Sequence, residues 1–392
     1  MGPKADPDSI TANQIDFSCE TEDLIYGMDV VKRTLGSGKN MPILAGVRMK
    51  ASEDEMELSS TDLEKSTTCH IPIENTENPA TLILKGDVLA QITQRLPESG
   101  TVRFRSMPDE NQKIEVSCGE MTFDLFQLPR EDYPSIPEVP DEPLCEVDKE
   151  AFREGLRHTT FAALKSKEAT RLSLTGVNTI FEGESLKLVA TNGYRMALKT
   201  IPLERQCDSG PFLIEASALA DWDRILSSVS GDEVKIYSKD SEIIFSAGSI
   251  VFTDKLIMEE FPEFEGVIPK DNDIPLRVDR TRFMETLRRA QITADEESGA
   301  VVLATTEGGD ELKISSSSPE KGEFRETISL SEKAKTEIGI SFKGQFLIDA
   351  LRRMNGDQLT LWLSDSETAG LIEPAEEESD FIYVCMPISQ QQ

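Results

Sequence analysis

Three stretches of this chain follow one pattern: LPESGTVRFRS (Leu96–Ser106), SVSGDEVKIYS (Ser228–Ser238) and MNGDQLTLWLS (Met354–Ser364). Each follows an apolar pattern of helical spacing, turns at a glycine and enters an alternating strand. The turning glycines, Gly100, Gly231 and Gly356, stand 131 and 125 residues apart. Solenoid units run roughly 20 to 50 residues, so a period this long is a whole domain used three times. A length of about 130 residues is enough for an independent core.

Other landmarks recur in the same order. The helical patterns Glu22–Leu35, Asp148–Leu156 and Asp279–Ala290 open the repeats, with Asp148 and Asp279 at N-cap positions. Strands ending in small polar residues follow: MELSSTD (Met56–Asp62), LKLVATN (Leu186–Asn192) and LKISSSS (Leu312–Ser318). A second helix precedes each glycine turn, marked by Leu89, Ile92 and Leu96, by Leu219, Trp222 and Leu226, and by Leu347, Leu351 and Met354. SIPEVPDEP (Ser135–Pro143) and IPKDNDIP (Ile268–Pro275) are proline- and acid-rich linkers, unable to continue a helix or a central strand. Residues 1–13 lack periodicity and read as a flexible tail. The expected domains are 14–138, 144–269 and 274–392, of α+β class, each with two helices packed on antiparallel sheets.

Acidic residues number 72 against 41 basic ones, a net charge of -31. Taken over the whole surface, that opposes nucleic-acid binding. The basic residues nevertheless gather on the repeated helices, at Lys32 and Arg33, Arg95, Arg153 and Arg157, Arg224, Arg288 and Arg289, and Arg352 and Arg353. For one helix this is an ordinary solvated face; its recurrence in every repeat points further. The six cysteines form no CxxC pair, and no signal peptide or long apolar run occurs, so a reduced cytoplasmic protein is expected. The two histidines, His70 in an alternating strand and His158 at a helix end, read as structural. No Walker loop, dinucleotide fingerprint or nucleophile elbow is present. The expectation is a non-enzyme without metal or cofactor.

The segment TGVNTIFEGESLKLVATNGYRMALKTIPL (Thr175–Leu203) closely resembles the central-domain signature of the bacterial sliding clamp, the beta subunit of DNA polymerase III. NMPILAGVRMKASEDEMELSSTDLE (Asn40–Glu64), FDLFQLPREDYP (Phe123–Pro134) and YVCMPIS (Tyr383–Ser389) are similar to motifs of the same family, in order and across all three repeats. The resemblance implies a head-to-tail ring of two chains whose repeated helices face encircled duplex DNA. The ring would confer processivity on the replicative polymerase and dock the clamp loader and repair proteins. Its implied DNA-facing residues are Lys32, Arg33, Lys39, Arg95, Arg153, Arg157, Arg224, Arg288, Arg289, Arg352 and Arg353.

An implied partner-peptide groove comprises Leu174, Thr191, Gly193, Tyr194, Arg195, Met196, Pro262, Val267, Val384, Cys385, Met386, Pro387 and Ile388. The implied dimer contact uses Phe123, Leu125 and Ile292. Core packing is the plain alternative for the apolar members of both sets. The chain also departs from the family pattern. Gly38, Leu172, Ser173, Ala216 and Ser217 stand where DNA-contacting loop residues are expected. In the groove, Asn192, Tyr194, Gly266 and Ser389 replace an aspartate, a histidine and two arginines. A diverged second clamp for repair or inhibitor resistance, or a scaffold that never encircles DNA, are the alternatives.

Overall fold

A computed structural model describes residues 15–388 apart from 75, 77–78, 108–109 and 376–379. The tail expected over 1–13 and the position of Ser389 lie outside the described residues. Among the described residues there are six α-helices: α1 (Thr21–Val31), α2 (Gly86–Thr93), α3 (Lys149–Thr159), α4 (Ala216–Leu226), α5 (Arg280–Thr293) and α6 (Gly344–Leu351). None is long and apolar enough to cross a membrane. The expected N-caps are in place: the Asp148 carboxylate accepts from the Ala151 N–H at 2.8 Å and that of Asp279 from the Arg282 N–H at 2.7 Å. All three turning glycines have positive φ, at +148° for Gly100, +96° for Gly231 and +78° for Gly356.

The chain divides into two compact units that follow the sheets rather than the sequence repeats. One runs to Cys145 and resumes over Arg224–Lys255. Its smaller antiparallel sheet orders Asp16–Glu20, Thr101–Met107, Glu110–Cys118 and Met121–Phe126. Its larger sheet orders Ala80–Lys85, Gly46–Ser52, Glu55–Thr61, Lys65–Pro72, Ile250–Lys255, Glu242–Ala247 and Glu233–Lys239. The pairing of Lys65–Pro72 with Ile250–Lys255, Cys69 opposite Ile250, carries one sheet from the first repeat into the second. Phe17 and Phe104 stack at 5.1 Å in the core.

The second unit comprises Glu146–Asp223 and the chain from Leu256 onward. Its larger sheet orders Ser209–Glu215, Gly176–Glu182, Ser185–Thr191, Arg195–Pro202, Phe381–Cys385, Gly370–Pro374, Gln358–Leu363 and Ile274–Asp279. The end of the linker read over Ile268–Pro275 thus enters a strand. Ile274–Asp279 is a sheet edge, where a proline without an N–H is tolerated. Its four-stranded sheet orders Gly322–Ser329, Glu311–Ser318, Ala300–Thr305 and Gly339–Lys343.

The small polar strand ends serve the helices. The Ser60 hydroxyl donates to the Val31 carbonyl at the end of α1, and the Ser316 hydroxyl to the Ala290 carbonyl of α5 at 2.7 Å. Each adds a donor to a carbonyl of the last helical turn, where intrahelical donors become few; the Ala290 carbonyl also takes the Ala294 N–H at 3.2 Å. The second repeat has Ala190 at the corresponding strand position, and there the Thr159 hydroxyl bonds the Gly155 carbonyl within α3 at 2.8 Å.

Candidate functional site

The segment Thr191–Met196 forms one wall of an apolar groove in the second unit. Thr191 and Met196 are direct cross-strand partners, and Met196 in turn faces Val384. Three side chains from three strands therefore share one face. The turn between the first two strands is locked from within. The Asn192 carboxamide oxygen accepts from the N–H groups of Tyr194 and Arg195, both at 3.1 Å. The Thr191 hydroxyl donates to the Arg195 carbonyl at 2.7 Å and accepts from the Gly193 N–H at 3.1 Å. Gly193 takes φ +89°, which its missing side chain permits. Asn192 thus performs the turn-capping job that an aspartate would perform. The C-terminal segment is tied to the same turn, because the Met386 N–H donates to the Tyr194 carbonyl at 2.8 Å.

The groove encloses about 210 Å³. Ten of the expected residues line it: Leu174, Thr191, Gly193, Tyr194, Arg195, Met196, Pro262, Val267, Val384 and Met386. Its floor is buried, with Met196 at 3% exposure and Val384 at 1%, whereas Tyr194 at 68%, Val267 at 46% and Met386 at 40% stand open at the mouth. Exposed apolar side chains around a buried apolar floor are the form of a peptide-binding surface. Three expected residues are outside the wall. Cys385 alternates away from Val384 and is fully buried, its thiol pushed up to about 12 by that burial. Pro387 lies past the strand, and the Ile388 N–H donates to the Ser341 carbonyl at 2.7 Å.

Three residues not named from the sequence line the groove: Arg171, Glu263 and Phe264. Phe264 packs with Phe261 against the cluster of Val189, Met196, Leu198, Ala369 and Val384. The sequence signal was the apolar pair flanking Pro262 in FPEF. Gly266 is exposed, and a side chain added there would meet open space.

The basic residues are placed differently from the sequence reading. Helices α1, α2 and α6 contain no Lys or Arg within their bounds. Lys32 and Arg33 belong to a 3₁₀ turn after α1, Arg95 lies beyond the end of α2, and Arg352 and Arg353 follow α6. The apolar periodicity runs past the helix ends because the next turn still packs inward. A cation just after a helix faces the negative end of its dipole, which favours it there.

Several of these cations are held by nearby acids. Lys32 pairs with Asp29, and Arg33 lies 3.7 Å from the same carboxylate. Asp223 of α4 takes Arg153 at 3.1 Å and Arg157 at 3.2 Å, and Glu150 takes Arg153 at 2.9 Å. Glu326 forms a fork with Arg289, at 2.8 and 2.9 Å, and also binds Arg282 at 2.6 Å. The hydrogen bond from Arg289 holds the Glu326 carboxyl below its ordinary 4.5. Arg353 is half-buried over the Phe161 ring at 4.9 Å, and burial lowers its pKa. Lys39, Arg95, Arg224, Arg288 and Arg352 are exposed.

Of the expected dimer contacts, Phe123 and Leu125 are half-exposed on the edge strand Met121–Phe126, and Ile292 in the last turn of α5 is 70% exposed. The interior alternative considered for Ile292 does not hold within this chain. Both histidines are in structural settings. His70 lies 3.1 Å from Glu55, while His158 is buried, with Nε2 donating to the Arg353 carbonyl at 2.5 Å.

Comparison with known proteins places this geometry. Family models of the DNA polymerase III beta subunit match residues 15–137 (N-terminal domain), 146–263 (central domain) and 265–389 (C-terminal domain). The beta sliding clamp of Pseudomonas putida is 28% identical over 375 residues, covering 95% of this chain and 99% of that one. That of Staphylococcus aureus is 24% identical over 372 residues, covering 93% and 97%. The crystal structure of a sliding clamp from Pseudomonas aeruginosa matches with a TM-score of 0.89 at 26% identity, over 96% of this chain and all of that one. The chain belongs to the DNA polymerase III beta subunit family.

Proposed function

We propose that this chain is a DNA sliding clamp, a non-catalytic processivity factor that tethers the replicative polymerase to duplex DNA. The carrying observation is the run of three beta-subunit matches, in order, over residues 15 to 389. The working form is a head-to-tail homodimeric ring of clamp domains 14–138, 144–269 and 274–392. The Phe123 and Leu125 edge of one copy meets Ile292 of the next, and a repeated heterologous contact of this kind closes a ring when its rotation does. Cations following or lying on the helices face the duplex. Because topology retains the ring, the contacts need only make the hole tolerant of phosphates. Acids such as Asp29, Asp223 and Glu326, each paired with local cations, keep that attraction modest. The acidic remainder favours solubility and discourages DNA from other faces.

The groove between Leu174, Met196, Val384 and Met386 receives short apolar peptide segments of the polymerase catalytic subunit, the clamp loader and repair proteins. A second reading, a diverged clamp serving repair, draws on Gly38, Leu172, Ser173, Ala216 and Ser217, which offer few groups for DNA. Both readings share one test. Loaded protein should be retained on nicked circular duplex and lost when that duplex is linearised. Equal retention on both forms would refute encirclement. Complementation of a replicative clamp separates the two readings.

A further inference from the structure

Arg195 lines the groove, yet its guanidinium is engaged by Asp349, Phe161 and Phe346, none of which lines the groove. Nη1 donates to the Asp349 carboxylate of α6 at 2.8 Å, and Nη2 donates to the Phe161 carbonyl at 2.6 Å. The guanidinium lies 4.5 Å from the Phe346 ring centroid and 5.3 Å from that of Phe161. Its side chain is only 9% exposed. The surroundings are themselves held. The Gln345 side chain donates to Asp349 at 2.7 Å, and the Tyr383 hydroxyl donates to the Phe346 carbonyl at 2.9 Å. A planar fork that stacks while it hydrogen-bonds suits this seat in a way that a lysine could not. With the head engaged by residues outside the lining, the stem is the part left to the groove, as in other long basic side chains.

We propose that Asp349 is the positioning and specificity-determining residue of the groove. By holding the Arg195 guanidinium inward and neutralised, it makes this part of the wall apolar. The groove then accepts an uncharged side chain and rejects a carboxylate, which would be desolvated without a partner. Without Asp349 the guanidinium loses the one carboxylate paired with it among the described residues and turns to the groove, where a carboxylate ligand would supply the missing partner. The proposal rests on the groove reading above and can fail separately from it.

The test uses the full chain and two labelled peptides. One carries Leu and Phe as its only apolar residues; its twin has Glu in place of Leu. Affinities are read by fluorescence anisotropy, with thermal unfolding recorded for every variant. Wild type should prefer the Leu peptide. Asp349→Ala should shift the Glu-to-Leu affinity ratio toward Glu by about tenfold, the scale of one charge-assisted hydrogen bond. Asp349→Glu should restore the wild-type ratio. Adding Arg195→Met to Asp349→Ala should abolish the gain for the Glu peptide. A merely structural role would weaken both peptides together and leave the ratio fixed, which would overturn the proposal. So would a Glu-peptide gain that persists without the Arg195 guanidinium. Failure of wild type to bind either peptide would overturn the groove reading itself, and this proposal with it.

Discussion

Asp223 offers a direct measure of how far local acids restrain the cations proposed to face DNA. Its carboxylate holds Arg153 at 3.1 Å and Arg157 at 3.2 Å. Asp223→Asn keeps the shape and removes the charge. The two arginines do not respond alike. Arg157 is 47% exposed and has no other acid within ion-pair distance among the described residues, whereas Arg153 is 15% exposed and retains Glu150. Arg157 is therefore the cation released. Each phosphate contact steepens the logarithmic salt dependence of duplex binding by about 0.9. One added contact multiplies the affinity ratio between about 50 and 200 mM salt by about 3.5, and two would multiply it by about 12. The assay is anisotropy of a labelled linear duplex across that salt range, with Asp240→Asn, at a hairpin tip, as the control for net charge. The expected result is tighter binding at low salt and a slope steeper by about 0.9 for Asp223→Asn alone. Equal slopes for Asp223→Asn and wild type, or the same change in Asp240→Asn, would refute the reasoning.

Other consequences are open to measurement. Leu125→Asp places a charge on the half-exposed edge that the ring model buries between copies. It should give a folded monomer in native mass measurement, and a persistent dimer would contradict that interface. Gly231→Ala should cost about 1–2 kcal/mol in denaturant unfolding, because φ is +96° and, among the described residues beyond its chain neighbours, no atom lies within 4 Å of the added methyl, leaving backbone strain as the main effect. Burial holds the His158 imidazole below its ordinary 6.5. The ring is neutral in both states above that value. As pH falls from 6.5 toward the depressed folded value, the unfolded chain takes up a proton that the folded one resists, so stability declines. His158→Gln should flatten that decline in unfolding midpoints compared at pH 7.5 and 5.5.

Much of the local structure was legible because its causes are local. Asp148 and Asp279 cap helices through donors three residues on, and the glycine turns need a conformation that few other residues adopt. The groove residues came from the family resemblance rather than from local rules; Thr191, Gly193, Tyr194, Arg195 and Met196 lie together because they fall in one short strand–turn–strand segment. Helix ends were less legible. Nothing in the apolar spacing of Leu89, Ile92 and Leu96 distinguishes the last turn of α2 from the coil that follows, so Arg95 was assigned to a helix it lies beyond.

By itself, then, the sequence determined a thrice-used α+β domain, its capped helices and the strand–turn–strand segment that forms one wall of the groove. Each of these depends on spacings of a few residues, or on a repeat visible along the chain. Only the tertiary structure decided which groups meet across long separations. It paired Lys65–Pro72 with Ile250–Lys255, so that one sheet crosses from the first repeat into the second. It set Asp223 against Arg153 and Arg157, and Asp349 against Arg195. A net charge of -31 could not say which cations are spoken for. That depends on carboxylates brought within about 3 Å of them by the packing of helices and sheets, where the Coulomb term becomes large.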